Sequence, residues 1–596
     1  MIQERLAALR SRMKEEHVDA YLVPTDDFHC SEYVGDYFKC RKYITGFTGS
    51  AGTAVITMDE AGLWTDGRYF IQAAAQLEGT TVTLHKMGEE GVPTIEEYLL
   101  NTLKPGQRLG FDGRTMTAAG GEELEKKLAE KQVSVAFQMD LVGDIWQDRP
   151  ALSCSPVWEL DLKYAGKPRS EKLAQIRKAM AEQKADYFLL TSLEDIAWLL
   201  NIRGGDIACT PVVLSYLVMT QSRVLLFAQQ EAFSEELTKE LAREGVTLQP
   251  YNDIYSFAAS IPAGKRVLLD PACANYALKK SIPEQAAVIA APNPTRLPKA
   301  VKNPVEVANM KKAHIRDGVA VTRWIYWLKQ NVGKTEITEI SAAAKLEEFR
   351  CAQEDYLGPS FDPIVSWGHH AALPHYSATP ETDIPVQPRS FLLADTGGHY
   401  RQGSTDITRT IVMGETSQKE KEYFTRVLRA NLNLAAAKFL YGCSGKNLDY
   451  IAREPLWEIG EDYNHGTGHG IGYLLSVHEG PNEFRWKSRP GRPDAAVFEE
   501  GMITTDEPGY YVEGEFGIRH ENVMVCRKAE KTACGQFMEF ETITMVPFDL
   551  EAVIPEMLSP RERELLNRYH QTVYEKISPF LEGEEKEWLK EATRKI

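Results

Sequence analysis

Residues 391–545 are the most distinctive part of the chain. Near their middle, two histidines stand four residues apart in a glycine-rich segment. Residues 464–472 have the sequence NHGTGHGIG, in which the imidazoles belong to His465 and His469. Glycine has no side chain, so such a backbone allows another group to come very close. We therefore expect a metal ion and its substrate to lie against this segment.

Two carboxylates precede the histidines, each in a run of residues typical of a β-strand. Asp395 follows the apolar run 391–394, and Asp406 lies in the β-branched run 404–412. The intervening residues 396–403 are rich in turn formers. The pattern predicts a hairpin that brings Asp395 and Asp406 alongside each other.

Two further carboxylates follow the histidines. Glu507 ends a predicted strand before a Pro-Gly turn, and Glu521 lies in the β pattern 516–525. Four acids and one imidazole form an oxygen-rich donor set. Such a set suits Mn²⁺ or Co²⁺ better than the Cys- and His-rich set that a structural zinc ion prefers. Unpaired, these acids would raise one another's pKa, whereas two divalent ions would neutralise them. The residue types predict a dinuclear metal site.

Five motifs in chain order resemble the pita-bread metallopeptidases, and among them the three-domain cytosolic aminopeptidase P type, the Xaa-Pro aminopeptidases. The motifs are LADTG at 393–397, TDITRT at 405–410, HGTGHG at 465–470, TDEPGY at 505–510 and IRHEN at 518–522. The resemblance extends almost from end to end. It implies two metal ions per subunit, usually Mn²⁺ with Co²⁺ or Zn²⁺ as alternatives. Their ligands would be Asp395, Asp406, His469, Glu507 and Glu521.

The same resemblance extends to substrate-binding segments. These are SFDPI at 360–364, LPHY at 373–376 and SVHEGP at 476–481. The resemblance implies catalytic roles for His375, His465, His478 and Glu507. It implies substrate contacts for Arg68, Phe361, His375, His469, His478, Tyr511 and Arg519. Arg68 belongs to the first domain, which is expected to reach toward a cleft in the third.

The implied reaction is hydrolysis of the bond between an N-terminal residue and a proline in second position, by a water that two metal ions activate. That bond lacks an N–H donor, which explains the need for a dedicated enzyme. Glu507 is expected to take the proton of the nucleophile. His478 would stabilise the developing oxyanion, while His375 holds the peptide near its proline. Phe361 and Tyr511 would contact the proline ring.

Several alternatives compete with this interpretation. A prolidase uses the same metal ligands but accepts only dipeptides, and its single N-terminal module fits the length of this chain less well. A metal-free creatinase-like hydrolase or binding protein would lack the acidic ligands. A phosphate-binding loop at 466–472 would need a Lys-Ser/Thr ending and a ribose-binding acid, which the sequence lacks. His370, His399 and His520 match no family role and are expected to be structural or peripheral.

The fold that must position these residues is predicted as α/β, with two creatinase-like N-terminal domains and a C-terminal pita-bread domain. The predicted bounds are 1–150, 165–297 and 300–596, the last including a tail of two charged helices. The helix and strand at the N-terminus recur at an offset of 167 residues, and residues 43–47 are echoed at 198–202. A helix followed by two strands in both places indicates a duplication.

Composition limits the partners and the compartment. The 596 residues carry a net charge of −17, which argues against a nucleic-acid surface. The chain has no apolar run long enough to cross a membrane and no apolar signal core at its start. Its nine cysteines include no CxxC pair, which indicates free thiols in a reducing cytoplasm. The family resemblance implies a homodimer.

Overall fold

The computed structural model describes residues 2–488 and 494–596, which belong to two compact units. The N-terminal unit comprises Met1–Leu160 and Pro168–Thr295, and the C-terminal unit comprises Asp161–Lys167 and Arg296–Ile596. No helix in the described part of the chain is both long and apolar enough to span a bilayer. The nine cysteines are all free thiols.

The N-terminal unit contains two six-stranded sheets. The strands of the first half are β1 (Ala20–Pro24), β2 (Thr53–Thr57), β3 (Ala61–Thr65), β4 (Thr83–Lys86), β5 (Arg108–Phe111) and β6 (Ser134–Ala136). Its helices are α1 (Ile2–Glu15), α2 (Cys40–Thr45), α3 (Phe70–Leu77), α4 (Ile95–Thr102), α5 (Ala118–Glu130) and α6 (Leu141–Ile145).

The strands of the second half are β7 (Trp158–Glu159), β8 (Tyr187–Leu190), β9 (Ile202–Arg203), β10 (Ser215–Met219), β11 (Val224–Ala228), β12 (Val246–Pro250), β13 (Arg266–Leu269) and β14 (Ala287–Ala290). Its helices are α8 (Arg169–Glu182), α9 (Leu193–Leu200), α10 (Glu235–Arg243), α11 (Asp253–Ala259) and α12 (Tyr276–Ser281); the short α7 (Leu162–Ala165) belongs to the C-terminal unit.

The two sheets have the same topology. Their orders are β4-β3-β2-β1-β5-β6 and β12-β11-β10-β8-β13-β14, with the same sequence of parallel and antiparallel pairs. Leu6, Leu9 and Met13 form the buried stripe of α1. The echoed segments 43–47 and 198–202 lie at the ends of α2 and α9, so the expectation that they form a second strand was wrong. Each helix ends in a left-handed residue, Gly46 or Asn201, which stops the helix and explains the shared pattern.

The C-terminal unit surrounds its sheets with long helices. Its helices are α13 (Arg296–Ala300), α14 (Pro304–Asn331), α15 (Glu339–Cys351), α16 (Gln418–Ala435), α17 (Gly445–Trp457), α18 (Pro560–Ile577) and α19 (Gly583–Ala592). Its strands are β15 (Tyr356–Pro359), β16 (Ile364–Trp367), β17 (Phe391–Thr396), β18 (Gly398–Tyr400), β19 (Gly403–Ser404), β20 (Ile407–Val412), β21 (Lys438–Leu440), β22 (Gly468–Gly470), β23 (Glu479–Phe484), β24 (Ile503–Asp506), β25 (Gly509–Val512), β26 (Phe516–Arg519), β27 (Asn522–Thr532) and β28 (Gly535–Thr542).

Two sheets of this unit carry the acidic and imidazole side chains of interest. One has the order β16-β17-β20, and its antiparallel β17 and β20 form the hairpin predicted from the sequence. The other has the order β21-β28-β27-β24-β22-β23. Asp406 and Glu521 each lie just before a strand, β20 and β27, and not inside one as expected. A residue outside the hydrogen-bonded strand can turn its side chain without breaking strand pairing. This position suits a carboxylate that must face other acids.

Candidate metal centre

Three side chains in the C-terminal unit are close enough to share one cation. Asp406, His469 and Glu521 each offer a ligand atom, and these atoms lie within 4.8 Å of one another. Glu507 belongs to the same cluster, because its Oε1 and the Oδ2 of Asp406 both lie 3.5 Å from His469 Nε2. The structure thus brings together residues that are up to 115 positions apart in the sequence.

The hydrogen bonds of His469 fix which ring nitrogen faces the acids. Its Nδ1 lies 3.0 Å from the carbonyl oxygen of Gly470, and a carbonyl can only accept, so Nδ1 carries the hydrogen. In the neutral ring, Nε2 then presents a lone pair toward the carboxylate oxygens of Asp406 and Glu507. A lone pair facing carboxylates is repulsive unless a cation lies between them, so this arrangement fits a divalent metal ion.

Burial and crowding raise the pKa values of the acids in this cluster. Burial is the largest cause for Asp406, and repulsion from Asp395 and Glu507 adds to it. The pKa of Glu521 is raised in the same way, and burial raises the pKa of Glu507 to about 7. Without added cations, the protein cannot hold these carboxyls fully ionised at neutral pH. The donor set therefore fits two divalent ions, which would supply the missing positive charge.

Asp395 is the one acid of the cluster with a strong cationic partner. Its Oδ2 accepts a 2.6 Å hydrogen bond from Arg519 Nη2, while its buried Oδ1 has no hydrogen-bond partner among the described residues. One oxygen is thus occupied by the protein and the other is available to a ligand. An orphaned buried oxygen is costly, which supports its use as a metal donor.

Arg519 also starts a hydrogen-bonded chain that ends at His465. Arg519 Nη1 donates to the Tyr511 hydroxyl at 2.6 Å, and that hydroxyl lies 2.9 Å from His465 Nε2. His465 Nδ1 is 2.7 Å from the Gly466 carbonyl and must donate to it, so Nε2 accepts from Tyr511. Burial, with the Arg519 charge second, lowers the pKa of His465 to about 3. His465 is therefore a neutral ring with a fixed tautomer.

The remaining predicted residues occupy distinct places. The His478 ring packs edge-on against the His469 ring with centroids 4.4 Å apart. His375 is half-buried in the segment after β16, and Phe361 is half-buried near Gly397. Arg68 lies in the N-terminal unit, where its guanidinium pairs with both carboxylate oxygens of Asp66 at 2.8 Å.

The glycines around His469 lie close to neighbouring strands. A Cβ atom on Gly468 would lie 2.0 Å from the Thr505 carbonyl oxygen, and one on Gly470 would lie 2.2 Å from that of Glu479. The groups that approach Gly468 and Gly470 closely in the structure belong to the neighbouring strands β24 and β23, and the sequence did not predict this packing. The two glycines allow β22 to pack closely enough to hold His469 in place.

The three histidines expected to be structural or peripheral each have protein neighbours. His399 Nδ1 lies 2.9 Å from Ser404 Oγ, and His370 Nδ1 lies 2.9 Å from Glu339 Oε2. His520 is fully buried with its ring against that of Phe424.

A buried ion pair beneath the hairpin was missed in the sequence. Asp317 of α14 accepts hydrogen bonds from Arg350 of α15 at 2.7 and 3.1 Å, and from Thr405 Oγ1 at 2.6 Å. Arg350 also donates to Thr396 Oγ1 at 3.1 Å. Thr396 and Thr405 are the immediate neighbours of Asp395 and Asp406. The available signal was an acid placed on the buried stripe of an otherwise amphipathic helix.

Comparison with known proteins agrees with this geometry. The family model described as "Metallopeptidase family M24" matches residues 308–528, and that for the C-terminal region of the same peptidases matches 536–596. Two models of the creatinase/prolidase N-terminal domain match residues 5–139 and 148–306. Together they confirm the predicted fold class.

Relatives cover the whole chain. Aminopeptidase P2 of Arabidopsis thaliana is 37% identical over 100% of this chain and 89% of its own length. Xaa-Pro aminopeptidase 1 of Dictyostelium discoideum is 36% identical over 99% of this chain and 96% of its own length.

Solved structures match over different shares of this chain. X-prolyl aminopeptidase from Caenorhabditis elegans, described as a cytosolic enzyme with a di-nuclear active site, matches with a TM-score of 0.94 and 34% identity over 100% of both chains. Xaa-Pro dipeptidase from Bacillus anthracis matches with a TM-score of 0.50 and 25% identity over 64% of this chain and 99% of its own. Full-length similarity is thus to aminopeptidases. The chain belongs to the aminopeptidase P family of M24 metallopeptidases and is a hydrolase.

Proposed function

We propose that this enzyme releases the N-terminal residue from peptides that have proline in second position, with two divalent ions per subunit. The observation that carries the proposal is the crowding of buried acids around His469 Nε2, with both Asp406 and Glu507 at 3.5 Å. The full-length similarity to aminopeptidases P supports the substrate class.

The proposed metal ligands are the five residues that the sequence singled out. They are Asp395, Asp406, His469, Glu507 and Glu521. Mn²⁺ is the proposed metal because oxygen donors predominate, and Co²⁺ or Zn²⁺ would fit the same donors. When bound, the ions would lower the pKa of a water molecule and polarise the scissile carbonyl.

The protein's own groups would orient the substrate and move its protons. Glu507 is placed beside His469 Nε2 and would accept the proton of the attacking water. His478, packed on the His469 ring, would donate to the carbonyl oxygen as negative charge develops there. His375 would hold the peptide next to its proline. His465, kept neutral by burial, would hold the Tyr511 hydroxyl in place.

Further residues are proposed to contact the rest of the peptide. Tyr511 and Phe361 would provide apolar surface for the proline ring, and Arg519 would orient Tyr511 through its 2.6 Å hydrogen bond. Arg68 is proposed to bind substrate, as the family resemblance implies. Replacing Arg68 with alanine should then raise KM for Arg-Pro-Pro, with kcat nearly unchanged.

The competing function is that of a prolidase, which accepts only dipeptides. The full-length similarity to X-prolyl aminopeptidase from Caenorhabditis elegans supports the aminopeptidase. The test is hydrolysis of Arg-Pro-Pro, Arg-Pro and Arg-Ala-Ala by chelated protein with and without Mn²⁺. Release of arginine from Arg-Pro-Pro only with metal is expected. Cleavage of Arg-Pro alone would make the enzyme a prolidase.

We also propose a cytoplasmic homodimer. Support comes from an aromatic cluster on the C-terminal unit, in which exposed Tyr450, half-buried Trp457 and exposed Trp486 lie in a row with ring centroids 5.8 and 5.5 Å apart. Exposed apolar patches of this kind often mark subunit contacts. Sedimentation should give twice the mass of one chain, and Tyr450→Glu should shift it toward the monomer. A monomeric wild type would contradict the proposal.

A further inference from the structure

The segment that carries His375 has little regular structure of its own. Residues 368–376 follow β16 as a 3₁₀ turn, Gly368–Ala372, and a short loop. Their internal backbone hydrogen bonds include His370 O with Leu373 N at 3.0 Å and Leu373 O with Tyr376 N at 3.1 Å. Such turns do not fix a side chain well, so the position of His375 depends on contacts from outside the segment.

One buried carboxylate supplies those contacts from behind. Glu339, the first residue of α15, is fully buried. Its Oε1 accepts from the Trp367 backbone N–H at 2.7 Å, and both of its oxygens lie within 3.0 Å of His370 Nδ1. Its Oε2 accepts from the Tyr376 hydroxyl at 3.1 Å. These donors flank His375 on both sides along the chain.

The partners of Glu339 are unusually specific. Within residues 2–488 and 494–596, every hydrogen-bond donor to its carboxylate comes from positions 367–376. Two of the partners also contact each other, since the rings of His370 and Tyr376 lie 4.3 Å apart at 33°. A buried carboxylate costs stability unless its oxygens are satisfied, so this cluster holds together as a unit.

The opposite side of the segment is tied to the metal centre. Arg519 Nη2 donates to the Pro374 carbonyl oxygen at 3.3 Å as well as to Asp395. Gly517 of β26 lies so close to the Ala371 carbonyl that a Cβ atom there would be 1.7 Å away. The segment is therefore held between Glu339 on one side and the residues next to the metal ligands on the other.

We propose that Glu339 is a positioning residue for His375: it fixes residues 367–376 so that the imidazole is held at one place beside the substrate. The inference rests on the proposed function, because it assigns His375 to the substrate. Misplacing such a group by about 1 Å costs roughly 100-fold in rate, so loss of the carboxylate should act mainly on kcat.

The first test compares Glu339→Ala with a matched control, Glu562→Ala. Glu562 is also a buried acid in the first turn of a helix, and it accepts from Ser559 N, Arg429 Nε and Asn433 Nδ2 at 2.7, 3.0 and 2.8 Å. Glu339→Ala should lower kcat on Arg-Pro-Pro about 10- to 100-fold with two metal ions retained. Glu562→Ala should lower thermal stability with kcat unchanged. Glu339→Gln, which keeps an acceptor oxygen, should recover most of the rate.

A double-mutant cycle separates positioning from general damage. In a His375→Ala background, Glu339→Ala should lower kcat by less than about twofold, because the group it positions is already gone. A loss as large as in the wild type would overturn the proposal. If Glu339→Ala does not fold, Tyr376→Phe removes one of the donors and should show the same non-additivity with a smaller loss.

Hydrogen exchange gives a readout that needs no activity. Amides of residues 367–376 should exchange faster in metal-loaded Glu339→Ala than in Glu562→Ala or the wild type. Unchanged exchange would overturn the proposal. If the wild type releases nothing from proline peptides, the proposed function is contradicted. Faster exchange in Glu339→Ala would in that case still support placement of the segment by Glu339.

Discussion

Asp317 and Asp406 are both buried aspartates in the C-terminal unit, but their surroundings are opposite. Asp317 faces the Arg350 guanidinium at 2.7 Å, the Tyr400 hydroxyl at 3.1 Å and the Thr405 hydroxyl at 2.6 Å. Asp406 faces other acids, and burial with their repulsion raises its pKa. The protein compensates the first charge itself, whereas we propose that bound cations compensate the second. The same residue type therefore supports the scaffold in one place and is a proposed metal ligand in the other.

The largest effect is expected when one of the acids without a counter-charge from the protein, Asp406 or Glu521, is replaced. Asp406→Ala or Glu521→Ala should lower kcat/KM by more than about 10³-fold, beyond the roughly 10- to 100-fold that loss of an outer partner costs. Bound metal per subunit, measured by atomic emission, should fall below two. A metal-replete Glu521→Ala enzyme with a near-normal rate would show that the dinuclear assignment is wrong.

Replacing one member of the Asp317–Arg350 pair should lower the stability of the protein instead. Asp317→Ala leaves the Arg350 guanidinium buried without its counter-charge, which costs about 3–5 kcal/mol of unfolding free energy. Replacing both members, as Asp317→Leu with Arg350→Met, should recover much of that loss. Denaturant unfolding of the three variants measures it. Equal losses in the single and double variants would mean that the pair is not compensated as described.

The stability of the chelated protein should depend on pH because the acids around His469 have no counter-charge from metal ions. Burial raises the pKa of Glu507 from about 4.5 to about 7 in the folded protein. Between these values the folded carboxyl keeps a proton that the unfolded chain has released, so stability should fall as pH rises from 4.5 to 7. The fall is about 3 kcal/mol for this group alone. Glu507→Gln should flatten the profile, and a chelated wild type whose stability is flat or rising over this range would contradict the account.

A buried histidine that is not among the predicted site residues, His570, should show the opposite pH dependence of stability. Burial lowers the pKa of His570 to about 3, and its Nε2 accepts from the Phe548 backbone N–H at 3.1 Å. Below pH 6.5 the unfolded chain binds a proton that the folded ring refuses, so stability should fall as pH drops. The contribution is about 2 kcal/mol between pH 7 and pH 5. His570→Gln keeps an acceptor that does not titrate, so it should lose less stability than the wild type over this range. An identical loss would place the acid sensitivity elsewhere.

The sequence predicted the donor set and much of the local structure. The apolar run before Asp395 and the β-branched run around Asp406 form the predicted hairpin, with Phe391 opposite Val412. Asn303 caps α14, and asparagine at this position with proline in the first turn is a combination that helix N-termini favour. The two tail helices also form, as α18 and α19. These features depend on local periodicity and capping, which neighbouring residues determine.

What the sequence did not predict depends on contacts between distant residues. Asp317 and Arg350 pair across 33 positions, and Glu339 meets His370 across 31. A glutamate in a first helical turn is ordinary by its local pattern, so nothing near Glu339 indicates that it faces the His375 segment. The close packing of Gly468 against Thr505, 37 positions further along the chain, was missed for the same reason.

The most direct test is a titration of the chelated enzyme with Mn²⁺, following both arginine release from Arg-Pro-Pro and thermal unfolding. The account predicts that activity and stability rise together and level off at two ions per subunit, because two divalent ions neutralise the four acids around His469. Full activity in the chelated protein, or a plateau reached without bound metal, would contradict the claim that these acids are compensated by cations.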